Sequence, residues 1–125
     1  MSFTTMNRRL FAMMLFFWIR SALAAPPFTK TDWAYQAAAT ASMAADWSQT
    51  RQAARSGRYV ELNPVLGPHP SAAEINEFFI GSAIVNAAIA RMLPPPWRRA
   101  WQVGTIGLEL VVVRQNASVG LHVRF

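Results

Sequence analysis

Between Pro27 and Gly57 the chain carries neither proline nor glycine, and nine of the intervening residues are alanine. A stretch of that length and composition makes helix the easy state. Thr29-Lys30-Thr31-Asp32 opens it with a hydroxyl able to cap free N–H groups and an acid three residues on, facing the positive end of the helix dipole. A helix is therefore expected over about residues 31–55. A second is signed as firmly. Ser71-Ala72-Ala73-Glu74 is a capping box directly after Pro70, and the apolar run from Phe78 to Leu93 stops at Pro94-Pro95-Pro96, which predicts a helix over about 71–93. A third pattern starts at Trp97, the last proline being acceptable at or before the first helical position. Its far end admits two readings. Gln102, Thr105, Glu109 and Asn116 recur at helical spacing, which extends the helix to about 116 with an extended tail behind it. Gly107 to Val113 is instead rich in β-branched residues, and Val119, Leu121, Val123 and Phe125 alternate, which would suit a β-hairpin through Gln115-Asn116-Ala117-Ser118.

The N-terminus reads as an address. Met6-Asn7-Arg8-Arg9 is basic, Leu10 to Ile19 is unbroken apolar sequence, and Ala22-Leu23-Ala24 places small residues at the two positions a signal peptidase reads. Ten apolar residues are short of the roughly twenty that cross a bilayer as a helix. Residues 1–24 are thus expected to be a cleaved secretory signal, with Arg20 as its one irregularity and a twin-arginine echo in Arg8-Arg9. The expected fold is all-α: a signal peptide, then one domain over 25–125, a small three-helix bundle with a Pro-rich loop between its first two helices and an extended C-terminal tail.

Composition narrows the function. Residues that are 53% hydrophobic and 14% charged exclude a disordered chain. The net charge of +6 falls to +3 without the leader, and the arginines stand in small groups at segment ends rather than in a stripe, so no nucleic-acid partner is expected. With no cysteine, thiolate chemistry and disulfides are absent. His69 stands between prolines and His122 in the tail, and no nucleophile motif or Gly-rich phosphate cradle occurs, so neither an enzyme, a metal site nor a cofactor is expected.

Polar residues inside the apolar segments are paired four apart: Asp46 with Thr50, Ser82 with Asn86, Thr105 with Glu109. Each pair shares one helix face. Three helices can turn such stripes inward and leave apolar faces outward, which suits lipid. Phe78 to Ala90 and Ala100 to Val113 are short for spans unless Arg91 snorkels, while Trp33, Tyr35, Trp97 and Trp101 lie near segment ends, where interfacial aromatics concentrate. With the mature N-terminus outside, three spans place Arg51, Arg55, Arg58, Arg114 and Arg124 inside and Lys30, Arg91, Arg98 and Arg99 outside. The same residues would also fold as a secreted three-helix domain, and both solvents stay open.

The loop is the most specified stretch. Gly57, Asn63-Pro64, Gly67-Pro68 and Pro70 hold about fifteen residues in a stiff corner, long for two neighbouring helices. Asp46-Trp47-Ser48-Gln49-Thr50, Tyr59 and Glu61-Leu62-Asn63-Pro64-Val65-Leu66-Gly67-Pro68-His69-Pro70-Ser71 resemble a group of small proteins of Proteobacteria and their phages that carry D-W-x-Q-T followed by E-x-N-P-x-L-G-x-H-P-S. The shorter core also looks like a broader class of small bacterial membrane proteins. The resemblance spans about residues 32–116, brings no activity, and implies that Asp46, Thr50, Glu61 and Asn63 are the defining positions. Asp46, Thr50, Glu61, Asn63, Asn86 and Glu109 are accordingly the candidate polar cluster. Asp46, Asn86 and Glu109 are expected to face one interior, and Glu61 and Asn63 to fasten the corner to the helix bearing Asp46 and Thr50. The expected protein is a small bacterial or phage-encoded envelope protein, helical in the inner membrane, with lipid and some protein as partners and a structural or interaction role. The alternative is a periplasmic helical module that holds a small ligand at the corner formed by Asp46, Glu61 and Asn63.

Overall fold

The structure, a computed structural model, describes residues 3–125 and contains four helices: α1 Phe3–Ala24, α2 Lys30–Ser56, α3 Ala72–Met92 and α4 Pro95–Ser118. No strand occurs among the described residues. The all-α class holds, but the count differs from the three-helix expectation because the leader is itself helical. The hairpin alternative does not form. Helix α4 passes through Gly107 to Val113 and ends two residues beyond the expected point, since its inward polar face packs along α2 and tertiary contact overrides β-propensity.

Both capping boxes are made. Thr29 Oγ1 accepts from the Asp32 N–H at 3.1 Å while Asp32 Oδ2 accepts from the Thr29 N–H at 2.9 Å. Ser71 Oγ accepts from the Glu74 N–H at 3.2 Å, and Glu74 Oε2 accepts from the Ser71 N–H at 2.7 Å. Gly57 closes α2 with φ of 63°, a left-handed conformation that favours glycine. Pro95 and Pro96 open α4, at positions where a helix needs no N–H donor.

Hydrogen bonds set the topology. Gln102 of α4 meets the Asp32 carbonyl of α2 at 3.0 Å, and Asn116 meets Asp46 at 3.1 Å, so α2 and α4 run parallel. Helix α3 is antiparallel to both, with Gln36–Asn86 at one level and Trp47–Asn76 at the other. The α2–α4 contact is the most extensive, and among the described residues α1 touches only α3. The tail after α4 is extended and folds back on α2: Leu121 is buried, Gln52 Oε1 accepts from the His122 N–H at 2.8 Å, and Ser48 Oγ accepts from the Arg124 N–H at 2.7 Å and donates to the Arg124 carbonyl.

Polarity is inverted relative to a water-soluble bundle. The buried apolar residues are Ala39, Met43, Ile75, Phe79, Ala90 and Leu121. The buried polar ones are more numerous: Asp32, Gln36, Ser42, Ser48, Gln49, Thr50, Asn86, Arg98 and Gln102. Ile80, Ile84 and Leu108 are meanwhile 62%, 64% and 70% exposed, in company with Val85, Val103, Leu110 and Val111. Among the described residues one helix, α3, is long and apolar enough to cross a membrane, and 11% of its most apolar stretch is buried.

Candidate functional site

The bundle interior holds two polar groups at different depths. The first lies where α2 and α4 begin and α3 ends. The Arg98 guanidinium is completely buried, and every direction it offers is met: Nε donates to the Ala90 carbonyl at 3.0 Å, Nη1 to Asp32 Oδ2 at 3.1 Å, and Nη2 to the Pro26 carbonyl at 2.6 Å. Phe28 covers it, with its ring centre 4.9 Å from Arg98 Cζ. Arg99 binds the other Asp32 oxygen at 3.1 Å and stacks on Tyr35 at 4.0 Å. The backbone N–H of Thr29 holds the Asp32 carboxyl well below the ordinary carboxylate range against the opposing effect of burial, aided by the Thr29 hydroxyl and the two arginines.

A side-chain spine descends from that ion pair. Gln102 donates to Gln36 Oε1 at 3.2 Å, Gln36 to Asn86 Oδ1 at 3.0 Å, and Asn86 to Thr105 Oγ1 at 2.8 Å. Residues from three helices thereby bond to one another, with Gln102 Oε1 left as a buried oxygen without a partner among the described residues. Asn86 belongs to this spine, not to a common cluster with Asp46 and Glu109 as expected. It stands opposite Gln36, and Asp46 lies ten residues, about 15 Å of helix, farther along α2.

The second group contains the other candidates. Asp46 Oδ1 accepts from the Asn116 amide at 3.1 Å, with the Thr50 hydroxyl beside it; the Glu61 charge acts on Asp46, and that of Asp46 acts on Glu109. Glu109 Oε2 is a buried oxygen without a protein partner. Asp46, Thr50, Glu61 and Asn63 together line a groove of about 510 Å³ between the corner, α2 and the last turns of α4. Gln49, fully buried behind them, donates to the Val113 and Leu121 carbonyls at 3.1 and 3.2 Å and so ties the tail to the helices.

Glu61 and Asn63 do not bond to α2. Asn63 N–H donates to Glu61 Oε1 at 2.8 Å, Val65 N–H donates to Asn63 Oδ1 at 3.0 Å, and the Glu61 N–H reaches the Pro68 carbonyl at 3.1 Å. Both residues fasten the corner to itself, each side chain accepting from the backbone N–H two residues on. Asn63→Ala thus loses one half-exposed turn bond, and a small destabilisation of about 0.5–1.5 kcal/mol is expected in thermal melts. A loss above that range would show that the corner depends on Asn63 for more than its own turn.

Asp32 was legible only as a cap partner, Gln49 only as a position of the D-W-x-Q-T pattern, and Gln36, Ser48 and Arg98 as nothing more than polar residues on or near helices. The same four-residue spacing that pairs Asp46 with Thr50 also pairs Asp32 with Gln36 and Arg98 with Gln102. Applied throughout, it marks the ion pair and the spine. Comparison with protein-family models, with curated proteins and with solved structures returned no match.

Proposed function

We propose that the chain is an integral membrane protein of the bacterial envelope, delivered by its N-terminal segment and acting through structure or interaction rather than catalysis. The observation that carries this reading is the inversion of polarity: nine polar residues are buried, five of them (Asp32, Gln36, Asn86, Arg98 and Gln102) bonded to one another across three helices, while isoleucine, leucine and valine face outward. In water that arrangement would expose an apolar surface to no benefit; in lipid it is the stable one. Helices α2, α3 and α4, of 27, 21 and 24 residues, each reach about 30 Å or more at about 1.5 Å per residue. Phe78 to Ala90 and Ala100 to Val113 form the apolar middles of α3 and α4, and Asp32, Arg98 and Arg99 lie together at one end of the bundle. Gly81, Gly104 and Gly107 open outward with no neighbouring atom within 4 Å of where a side chain would begin, room into which another helix could pack.

Two further features support the leader. Helix α1 ends at Ala24, beside the expected cleavage point, and the side chains of Leu10, Phe11 and Met13 to Phe17 are exposed by half or more, so its removal uncovers little. Carbonate extraction of membranes followed by mass measurement tests both parts. The protein is expected to remain in the pellet with Ala25 as its first residue. Release into the carbonate supernatant would overturn the membrane reading, and a full-length mass would turn α1 into a fourth anchor. The groove beside Asp46 supports a second reading, a periplasmic module holding a small ligand, which predicts release into the supernatant instead.

A further inference from the structure

We infer that the groove beside the proline-rich corner binds an organic cation, an amine with an apolar body, through Asp46 and Glu61. The inference goes beyond the membrane reading and does not rest on it, because the groove exists in the folded chain whatever surrounds the helices.

Charge carries the first half. The protein has twice as many basic as acidic residues, yet among the described residues both of its ion pairs are made by Asp32. Asp46 and Glu61 line one groove, and among the described residues no arginine, lysine or histidine lies within 4.0 Å of either carboxylate. The basic residue nearest in sequence, Arg51, five positions beyond Asp46, lies over the Trp47 ring at 5.1 Å instead. Asp46 has only an amide and a hydroxyl as partners, and Glu61 binds a backbone N–H of its own turn. Two carboxylates facing one partly enclosed groove repel each other, and a countercharge entering from outside relieves that.

Shape carries the second half. The space of about 510 Å³ is of the size that accepts a small organic molecule. Asp46 and Glu61 share its wall with Leu66, Phe79, Val112 and Leu121, and no basic residue lines it. Among the described residues no three ligating side chains converge on one point, so the walls suit a larger, partly apolar cation better than a bare metal ion. An ammonium head at the carboxylates with its hydrocarbon body against Phe79 and Leu121 fills both requirements. The corner that carries Glu61 is held rigid by its own prolines and turn bonds, so the carboxylate is positioned before any ligand arrives.

The test uses the protein purified in mild detergent and three probes of one shape: phenethylammonium, phenethyl alcohol and phenylacetate, each titrated by calorimetry. Phenethylammonium is expected to bind at least tenfold more tightly than the alcohol, and the alcohol more tightly than phenylacetate. Asp46→Asn and Glu61→Gln are each expected to bring the ammonium down to the alcohol's affinity, while Glu77→Gln, an exposed acid outside the groove, leaves the preference intact. Equal affinity for ammonium and alcohol, or no ammonium binding, would overturn the proposal. So would a preference that survives in Asp46→Asn. The comparison of probes on the unaltered protein needs no variant, so it decides the matter even if a substitution fails to fold.

Discussion

Asp32→Asn is expected to cost about 3–5 kcal/mol of stability, the range for removing one partner of a buried ion pair. The reason lies in Arg98, whose guanidinium is entirely buried and keeps its charge in any environment. With Asp32 neutral, the carbonyls of Ala90 and Pro26 still accept its hydrogen bonds, but no negative charge balances it. Arg99, partly exposed, adds little to this, because solvent can replace its partner. The same carboxylate gives the fold a definite pH dependence. Its folded titration lies below the ordinary aspartate value of about 3.9, so its contribution is complete above that pH and fades as the pH falls beneath it toward the folded value. Denaturation in detergent at pH 7 and pH 3 checks both statements. The variant should be less stable at pH 7, and the gap between variant and parent should narrow on acidification. An Asp32→Asn protein as stable as its parent at pH 7 would mean that Arg98 is neutralised elsewhere.

Phe79→Ala is expected to be nearly as costly, at about 3 kcal/mol, the low end of the range for emptying a buried aromatic site. Phe79 is one of the few buried apolar side chains of the bundle, and its ring packs edge-on against Phe78 with centroids 5.3 Å apart. It also forms a wall of two cavities, the groove beside Asp46 and an apolar hollow of about 330 Å³ between α2 and α3. Those spaces already deprive the ring of some neighbours, which is why the low end applies. Truncation joins the two spaces into one. Chemical denaturation reads the loss directly, and Phe79→Leu, which refills much of the volume, is expected to recover at least half of it.

The residues of single segments determined a good deal. Thr29 with Asp32 and Ser71 with Glu74 mark where α2 and α3 begin, because capping is decided within four residues of chain. Gly57 and the prolines at 94–96 mark where helices stop, for equally local reasons of backbone geometry. The inward face of α4 is written in the spacing of Gln102, Thr105 and Asn116. The possibility of a β-hairpin at its far end was decided elsewhere, by the parallel packing of α4 on α2, since Val111 to Val113 have no strong preference of their own once that face is engaged.

Tertiary structure alone decided the partners of the polar residues. Asp32 caps a helix by local rule, but that its capping oxygen Oδ2 also meets Arg98, 66 positions away, and its Oδ1 meets Arg99 depends on how three helices meet. The same holds for Asn86, which shares a period with Ser82 in the sequence yet joins Gln36 and Thr105 rather than Asp46 and Glu109, because its depth along α3 is fixed by the short α3–α4 turn. The tail shows the point most plainly. Ser48, Gln49 and Gln52 look like ordinary helix-surface residues, and the return of the chain after Ser118 brings them the backbone groups of Arg124, Leu121 and His122, with Val113 of α4 as a second acceptor for Gln49. Spacing along a helix determines which side chains share a face, while the rotation and depth at which faces meet come from packing between segments far apart in the chain.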